Sequence, residues 1–203
     1  MKSLVLQQVR PIIEVGCGKG NISRIINPDL CIEIDNKFIK YLKNYNLILA
    51  DARFLPIFRG QIISSLPFYI TYDFMLEVSS LSKISYLVLI LQKDFVYKIL
   101  KKPTFISYLL NYYYKINLIK IIPPSCFEPR PKVFSALVTM RRIREYRDTK
   151  VEEVLRCLSR YKNKSLRKAS KLCGLISNDD RKVEEYPPWE VIELLNSVGL
   201  KSV

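Results

Sequence analysis

The sequence predicts an α/β fold: a mostly parallel sheet with helices on both faces, followed by a small basic helical region. Three observations carry this. Short apolar runs alternate with helically spaced stretches between residues 11 and 91, a glycine loop separates the first run from the first such stretch, and the pattern turns helical after about Arg147. Strands that alternate with helices pair in parallel, and such sheets bind ligands beyond the carboxyl ends of their strands.

Pro11 to Val15 reads as a short buried strand, followed by Gly16-Cys17-Gly18-Lys19-Gly20 and a helical pattern through Ile22, Ile25 and Ile26. Leu30 to Ile34 is a second strand carrying Glu33 near its end, and Phe38 to Tyr45 has helical spacing. Leu47 to Ala50 is a third, closed by Asp51, and Gln61 to Ser64 a fourth that runs into Ser65-Leu66-Pro67-Phe68. Tyr86 to Leu91 is the fifth. Ile116 to Ile121 and Val133 to Met140 read as a closing antiparallel pair, joined by the loop Pro123 to Pro131. Val151 to Cys173 is a long basic helix or a helix pair, and Trp189 to Val198 a last helix, with Pro187-Pro188 at its start and Gly199 past its end. The expected domains are residues 1–146 and 147–203.

Composition narrows the chemistry. With 203 residues, 49% of them apolar, the chain can bury a full core. It contains no histidine, which excludes Ser-His-Asp and Cys-His hydrolases and His-ligated zinc deaminases. The cysteines at 17, 31, 126, 157 and 173 show neither a Cys-x-x-Cys pair nor metal-ligand spacing, so reduced thiols and no metal are expected. No signal peptide opens the chain, and the apolar segment Ile106 to Ile122 is broken by Asn111, Lys115, Asn117 and Lys120, so a soluble, cytoplasmic protein away from membranes is expected. The net charge of +14 is concentrated in two blocks. Between Phe95 and Arg144 ten Lys or Arg, Lys132 among them, face a single acid, Glu128; Arg156 to Lys171 holds Arg160, Lys164, Arg167 and Lys168 and no acid. Such a field attracts phosphate chains, although a solvated lysine-rich surface has the same composition.

The strand ends suit an adenosyl ligand. Glycines let the backbone approach the ligand, and the next helix brings its first amides there. Glu14-x-Gly16-x-Gly18-x-Gly20 is not the dinucleotide spacing, and its leading acid opposes a pyrophosphate. Glu33 can accept from both ribose hydroxyls and Asp51 from an adenine amine, with the Ala52 amide facing a ring nitrogen. Read singly, each is also an ordinary turn glycine or strand-end acid. Together they favour S-adenosylmethionine over a nicotinamide cofactor. The tetrapeptide complements this: Ser65 Oγ and the Leu66 carbonyl can accept from the exocyclic amine of a base, Pro67 fixes the turn, and Phe68 can stack on the base.

Glu-Val-Gly-Cys-Gly-Lys-Gly at 14–20, Ile-Glu-Ile-Asp at 32–35, Asp51-Ala52, Ser-Leu-Pro-Phe at 65–68, Leu-Gln-Lys-Asp at 91–94 and Pro-Pro-Ser-Cys-Phe-Glu-Pro-Arg-Pro-Lys-Val-Phe-Ser-Ala at 123–136 resemble the ribosomal RNA adenine dimethylase family. The basic run from Arg160 to Lys168 resembles that family's basic C-terminal helix. The resemblance implies a Rossmann-like S-adenosylmethionine-dependent methyltransferase sheet with a small C-terminal helical domain. It implies that Glu14, Gly16, Gly18, Glu33, Asp51, Ala52 and Ser65 line the cofactor site, and that Ser65, Leu66, Pro67, Phe68 and Phe127 hold the target adenine. Phe127 then covers the base face opposite Phe68; the alternative is a core plug beneath the proline loop. Lys132, Arg160, Lys164, Arg167 and Lys168 are implied to bind RNA. The implied activity is dimethylation of adjacent adenosines near the 3′ end of small-subunit rRNA, by a monomer acting on a preribosomal particle. A catalytically weak assembly factor of the same fold is the alternative.

Two departures from the family pattern carry expectations of their own. Serine stands at 65 in place of asparagine and phenylalanine at 68 in place of the usual tyrosine, which implies slower transfer because a hydroxyl reaches less far than a carboxamide. Only thirteen residues precede Glu14, too few for the family's Gln-Asn-Phe-Leu segment and the helix after it, which implies a weaker hold on the cofactor or a pocket completed by the ribosomal particle.

Overall fold

The computed structural model describes residues 1–146 and 149–200, so the expected domain junction at 147 lies outside the described residues. The chain forms two compact units, one of Met1–Val96 with Lys115–Glu145 and one of Tyr97–Tyr114 with Tyr146–Val203.

The first unit is built on a seven-stranded sheet. Its strands are β1 (Ile12–Val15), β2 (Leu30–Glu33), β3 (Leu47–Leu49), β4 (Arg59–Ser64), β5 (Lys83–Gln92), β6 (Tyr114–Ile122) and β7 (Ser135–Arg142), in the order β3-β2-β1-β4-β5-β7-β6. The first five pair in parallel, and β7 runs antiparallel to β5 with Leu89 opposite Val138. All four residues of β1 are buried, as its central place requires, while β6 at the edge is largely exposed. Helix α1 (Ser23–Ile26) is a single turn ended by Asn27 in the left-handed region at φ 50°. Phe38 to Tyr45, read as helical, forms a 3-10 helix over Asn36–Tyr41, capped by the Asp35 side chain on the Lys37 amide. Helix α2 (Thr71–Ser80) follows a 3-10 turn at Phe68–Ile70 and buries Phe74, Met75 and Val78; the sequence reading did not identify it.

The first ten residues join this core. Val5 is buried with Ile12, Ile26, Ile63 and Val88, and Leu4 and Leu6 pack on the same cluster. The buried Gln61 side chain accepts from the Leu6 amide and donates to the Leu6 and Val9 carbonyls, replacing strand partners that this turn lacks. Arg10 pairs with Asp29, which also accepts from the Ile12 amide at 2.6 Å and so fixes the entry of β1.

The second unit is helical. Helix α3 (Lys93–Lys101) follows β5, its residues from Tyr97 on belonging to this unit, and is followed by α4 (Phe105–Tyr113), N-capped by Thr104 and packed on α5 (Thr149–Arg160) and α7 (Val191–Asn196). The long basic segment is a helix pair, because the chain turns at 161–165 before α6 (Leu166–Leu172). The turn is pinned by the Leu166 amide on the Arg181 carbonyl, the Val183 amide on the Lys164 carbonyl and the Arg167 amide on the Asp179 carbonyl. Tyr108 is buried and its hydroxyl donates to the carbonyls of Val183 and Tyr186, tying α4 to that segment. One expectation is overturned here: Cys157 and Cys173 form a disulfide, whereas Cys17, Cys31 and Cys126 are free thiols. The turn between α5 and α6 brings the pair to a Cα separation of 5.9 Å, which spacing along the chain does not reveal. Among the described residues no helix is long and apolar enough to cross a membrane.

Candidate active site

Parallel pairing brings the candidate residues to one end of the sheet. Val15 lies opposite Ile32 on one side and Ser64 on the other, so Gly16, Glu33 and Ser65, each one residue further, emerge side by side. The Gly16 amide donates to the Ile32 carbonyl at 2.8 Å, and the Ser64 hydroxyl to the Val15 carbonyl at 2.8 Å. Asp51 joins the row from β3, where the Ala50 amide donates to the Glu33 carbonyl.

The glycine loop needs its glycines. Gly16, Gly18 and Gly20 have φ of 77°, 53° and 74°, a region where a side chain is strained. A Cβ on Gly16 would lie 2.6 Å from Leu66 Cδ2, so the tetrapeptide leans directly on the loop. A Cβ on Gly18 would meet nothing within 4 Å, so the space above it is free for a ligand. The Gly18 amide donates to Glu33 Oε2 at 2.7 Å, and Glu33 Oε1 accepts from the amides of Ile34 and Asp35 at 2.8 and 3.0 Å. Three amides therefore hold the Glu33 carboxylate in place.

Glu14 lies beneath the loop. It is 1% exposed, and its Oε2 accepts from the Ser23 hydroxyl at 2.6 Å. Burial pushes its pKa up to about 7, against the opposing Ser23 bond, and the nearby Glu33 charge adds to the rise. Cys17 packs beside it, donating to the Glu14 carbonyl, and contact with Cys31 together with burial pushes that thiol up, so it stays protonated. Glu14, Cys17 and Cys31 bring one ligand atom each within 4.8 Å of one another, so the fold gathers groups that chain spacing had not suggested as a metal set. They belong to the core: both thiols are buried with Leu42.

The base side is more open. Ser65, Leu66 and Phe68 are half-buried and Pro67 is exposed, with φ −54° and ψ 139° turning the chain into the 3-10 turn that Phe68 begins. Phe127 is half-buried after the 3-10 turn Pro124–Cys126, on the loop between β6 and β7, and β7 stands two places from β4 in the sheet. Ala52 is buried, whereas Asp51 pairs with Arg53 rather than with another candidate residue. Arg53 and Ser23 are the site residues that the sequence reading missed. Arg53 was legible only as the cation two places after Asp51, and Ser23 had no signal because its partner is nine residues away. Lys132, Arg160, Lys164, Arg167 and Lys168 are all exposed, and Arg167 pairs with Asp180 at 2.9 Å.

A sheet of this order, with its glycine loop, strand-end acids and tetrapeptide at one end, places the protein in the Rossmann-like methyltransferase class. Solved structures agree on the fold. A dimethyladenosine transferase from Plasmodium falciparum matches with a TM-score of 0.69 and 22% identity over 81% of this chain and 69% of its own. The 23S rRNA methyltransferase ErmE matches with a TM-score of 0.68 and 17% identity over 95% and 93%.

Within that class the particular family is also shown. The model of the ribosomal RNA adenine dimethylase family matches residues 1–182, and the chain belongs to that family. Curated relatives include the ribosomal RNA small subunit methyltransferase A of Mesomycoplasma hyopneumoniae strain 232, 30% identical over 149 residues, which are 64% of this chain and 58% of that protein. The protein of the same name from Clostridium acetobutylicum is 29% identical over 206 aligned positions, 86% of this chain and 74% of that protein. The chain thus spans under two thirds of the first relative's length and about three quarters of the second's.

Proposed function

We propose that this protein is an S-adenosylmethionine-dependent rRNA adenine-N6 methyltransferase that dimethylates adjacent adenosines near the 3′ end of small-subunit rRNA during ribosome assembly in the cytoplasm. The observation that carries this is the junction at the ends of β1, β2 and β4, where Glu33 grips the glycine loop and Leu66 of the tetrapeptide rests on Gly16. Ligand loop and base loop there share one wall.

The residues present fit the cofactor: the space over Gly18 is open, and Glu33 is a carboxylate held at its edge. When bound, S-adenosylmethionine supplies an electrophilic methyl group. Glu33 would accept from the ribose hydroxyls, Asp51 from the adenine amine, and the loop backbone would pass close to the ligand. Ser65 Oγ and the Leu66 carbonyl would accept the hydrogens of the target amine, turning its lone pair toward the methyl carbon, which is alignment rather than strong-base catalysis. Phe68 and Phe127 would enclose the flipped base. On the helical unit, Arg167 and Lys168 stand in the first turn of α6, where the helix dipole disfavours cations. Arg167 is already balanced by Asp180, so it is the exposed Lys168 whose place there is better explained by a phosphate partner than by helix stability.

The test is incubation of the protein with methyl-labelled cofactor and undermethylated small ribosomal subunits, followed by mapping of the labelled adenines. Two labelled neighbouring adenosines in small-subunit RNA are expected. Absence of cofactor binding, with or without RNA, would instead support an assembly factor of the same fold, and label confined to large-subunit RNA would reassign the substrate.

A further inference from the structure

Asp51, which the proposed reading gives to the cofactor's adenine amine, does not present a free carboxylate. Arg53 Nε lies 3.0 Å from each of its oxygens, Arg53 Nη2 lies 2.5 Å from Oδ2, and the Arg53 amide donates to Oδ1 at 2.9 Å. The guanidinium holds the Asp51 carboxyl below the usual carboxylate range. The loop that carries the pair is anchored, because the Leu55 amide donates to Glu77 of α2 at 2.9 Å.

The surroundings of Arg53 point toward RNA. Beside Asp51, the Asp73 carboxylate in the first turn of α2 and the neutral Tyr69 hydroxyl lie near enough to act on the guanidinium. Tyr69 follows Phe68 directly and is 85% exposed, and Phe54, next to Arg53, is 75% exposed. Arg53 is thus paired with the proposed acceptor for the cofactor's adenine and followed in the chain by the exposed Phe54 ring, while the exposed Tyr69 follows the proposed base-stacking Phe68. Exposed rings beside a guanidinium suit single-stranded nucleic acid, in which bases stack and phosphates pair with arginine.

We propose that Arg53 is a positioning residue that couples the two ligands: it occupies Asp51 in the free protein and passes to a backbone phosphate of the RNA, releasing Asp51 to the cofactor's adenine amine. This rests on the function proposed above. The exchange is chemically balanced, since a planar guanidinium forks onto a carboxylate or a phosphate in the same way. Solvent-exposed ion pairs are weak, so little opposes the transfer. Linkage makes the coupling reciprocal, so RNA tightens cofactor binding by the factor with which cofactor tightens RNA binding.

Calorimetric titration of S-adenosylhomocysteine into the wild type, Arg53→Leu and Arg53→Lys tests this, each without RNA and with a saturating RNA hairpin whose loop carries adjacent adenosines. The wild type is expected to bind the probe roughly two- to fivefold tighter with RNA, the most that releasing a weak exposed ion pair can give. Arg53→Leu is expected to reach that tighter affinity without RNA and to gain nothing from it, and Arg53→Lys to keep part of the gain. An Arg53→Leu protein that keeps the wild-type gain, or binds the probe more weakly than wild type without RNA, overturns the coupling alone. Absence of probe binding to the wild type under either condition overturns the functional reading as well.

Discussion

The Gly18 amide donates to Glu33 Oε2 across 2.7 Å, so the glycine loop is fastened to the end of β2 before any ligand arrives. The bond sets both the loop's shape and the direction of the carboxylate. Removing it with Glu33→Ala frees three amides and deletes the acceptor proposed for the ribose. A hydrogen bond to a charged group contributes about 1.5–3 kcal/mol, so the loss of even one should weaken binding of S-adenosylhomocysteine by roughly tenfold to a hundredfold. Titration calorimetry measures this directly.

Phe127→Ala should behave differently. Its ring is carried by the loop before β7, away from the row of strand-end acids, so the affinity for S-adenosylhomocysteine should stay at the wild-type value while methyl transfer falls. Stacking contributes roughly 1–3 kcal/mol per base, which corresponds to a loss of about five- to a hundredfold in rate at subsaturating RNA. An equal loss of cofactor affinity in the Glu33 and Phe127 variants would contradict this division of roles.

Ser65→Asn should raise the transfer rate. The strand end before it is fixed independently, because the Ser64 hydroxyl is bonded to the Val15 carbonyl, and the chain after it is held by Pro67. The substitution therefore changes only the reach of the acceptor. Single-turnover assays with saturating RNA would show it, and an unchanged or lower rate would mean that serine is already the better acceptor here.

The sheet was legible because its buried strands are short apolar runs with acids or glycine at their ends, as at Val15–Gly16 and Glu33, and the gathering of the candidate residues Gly16, Glu33 and Ser65 was legible because parallel strands deliver such ends to one end of the sheet. Helix α4 was not legible. Its residues Ile106 to Leu110 are all buried, so the apolar run has no polar face to display a helical period. The Cys157–Cys173 bridge was hidden for a different reason: only the turn at 161–165 makes those positions neighbours. Arg53 was overlooked because an ion pair two residues apart has no periodic signature, although its geometry alters what Asp51 can accept.

Gly60→Ala should destabilise the first unit severely. The residue sits at φ 114° where the β4–β5 register shifts, and a Cβ there would lie 2.3 Å from the Pro11 carbonyl oxygen and 2.9 Å from Pro11 Cδ. Backbone strain of about 1–3 kcal/mol adds to a comparable cost of overpacking. Gly174→Ala is the control, since φ is 69° but nothing lies within 4 Å of its Cβ, and only the conformational cost of about 1–2 kcal/mol remains. Urea denaturation of the two variants should separate them by about 2 kcal/mol or more.

Reduction of the Cys157–Cys173 bridge should loosen the helical unit. The cysteines are 16 residues apart, and closing a loop of that length stabilises by about 3 kcal/mol in the chain-entropy account. Denaturant curves with and without a dithiol reductant should differ by about that amount. A variant with Cys157→Ser and Cys173→Ser should show no response to the reductant.

Stability should also fall as pH rises, and Glu14 supplies the reason. Burial, opposed by the Ser23 bond and reinforced by Glu33, raises its pKa from 4.5 to about 7 in the folded chain. The folded state therefore holds this proton more tightly than the unfolded chain does. The advantage of the neutral carboxyl is complete below about pH 4.5 and is lost between there and about pH 7, as the buried group ionises. A shift of that size corresponds to about 3 kcal/mol. Glu14→Gln keeps an oxygen for the Ser23 hydroxyl but cannot ionise. The difference in unfolding free energy between wild type and Glu14→Gln should therefore move against the wild type by about 3 kcal/mol from pH 4.5 to pH 8, measured by urea denaturation at several pH values. Parallel curves for the two proteins across that range would show that Glu14 is already ionised at the lower limit.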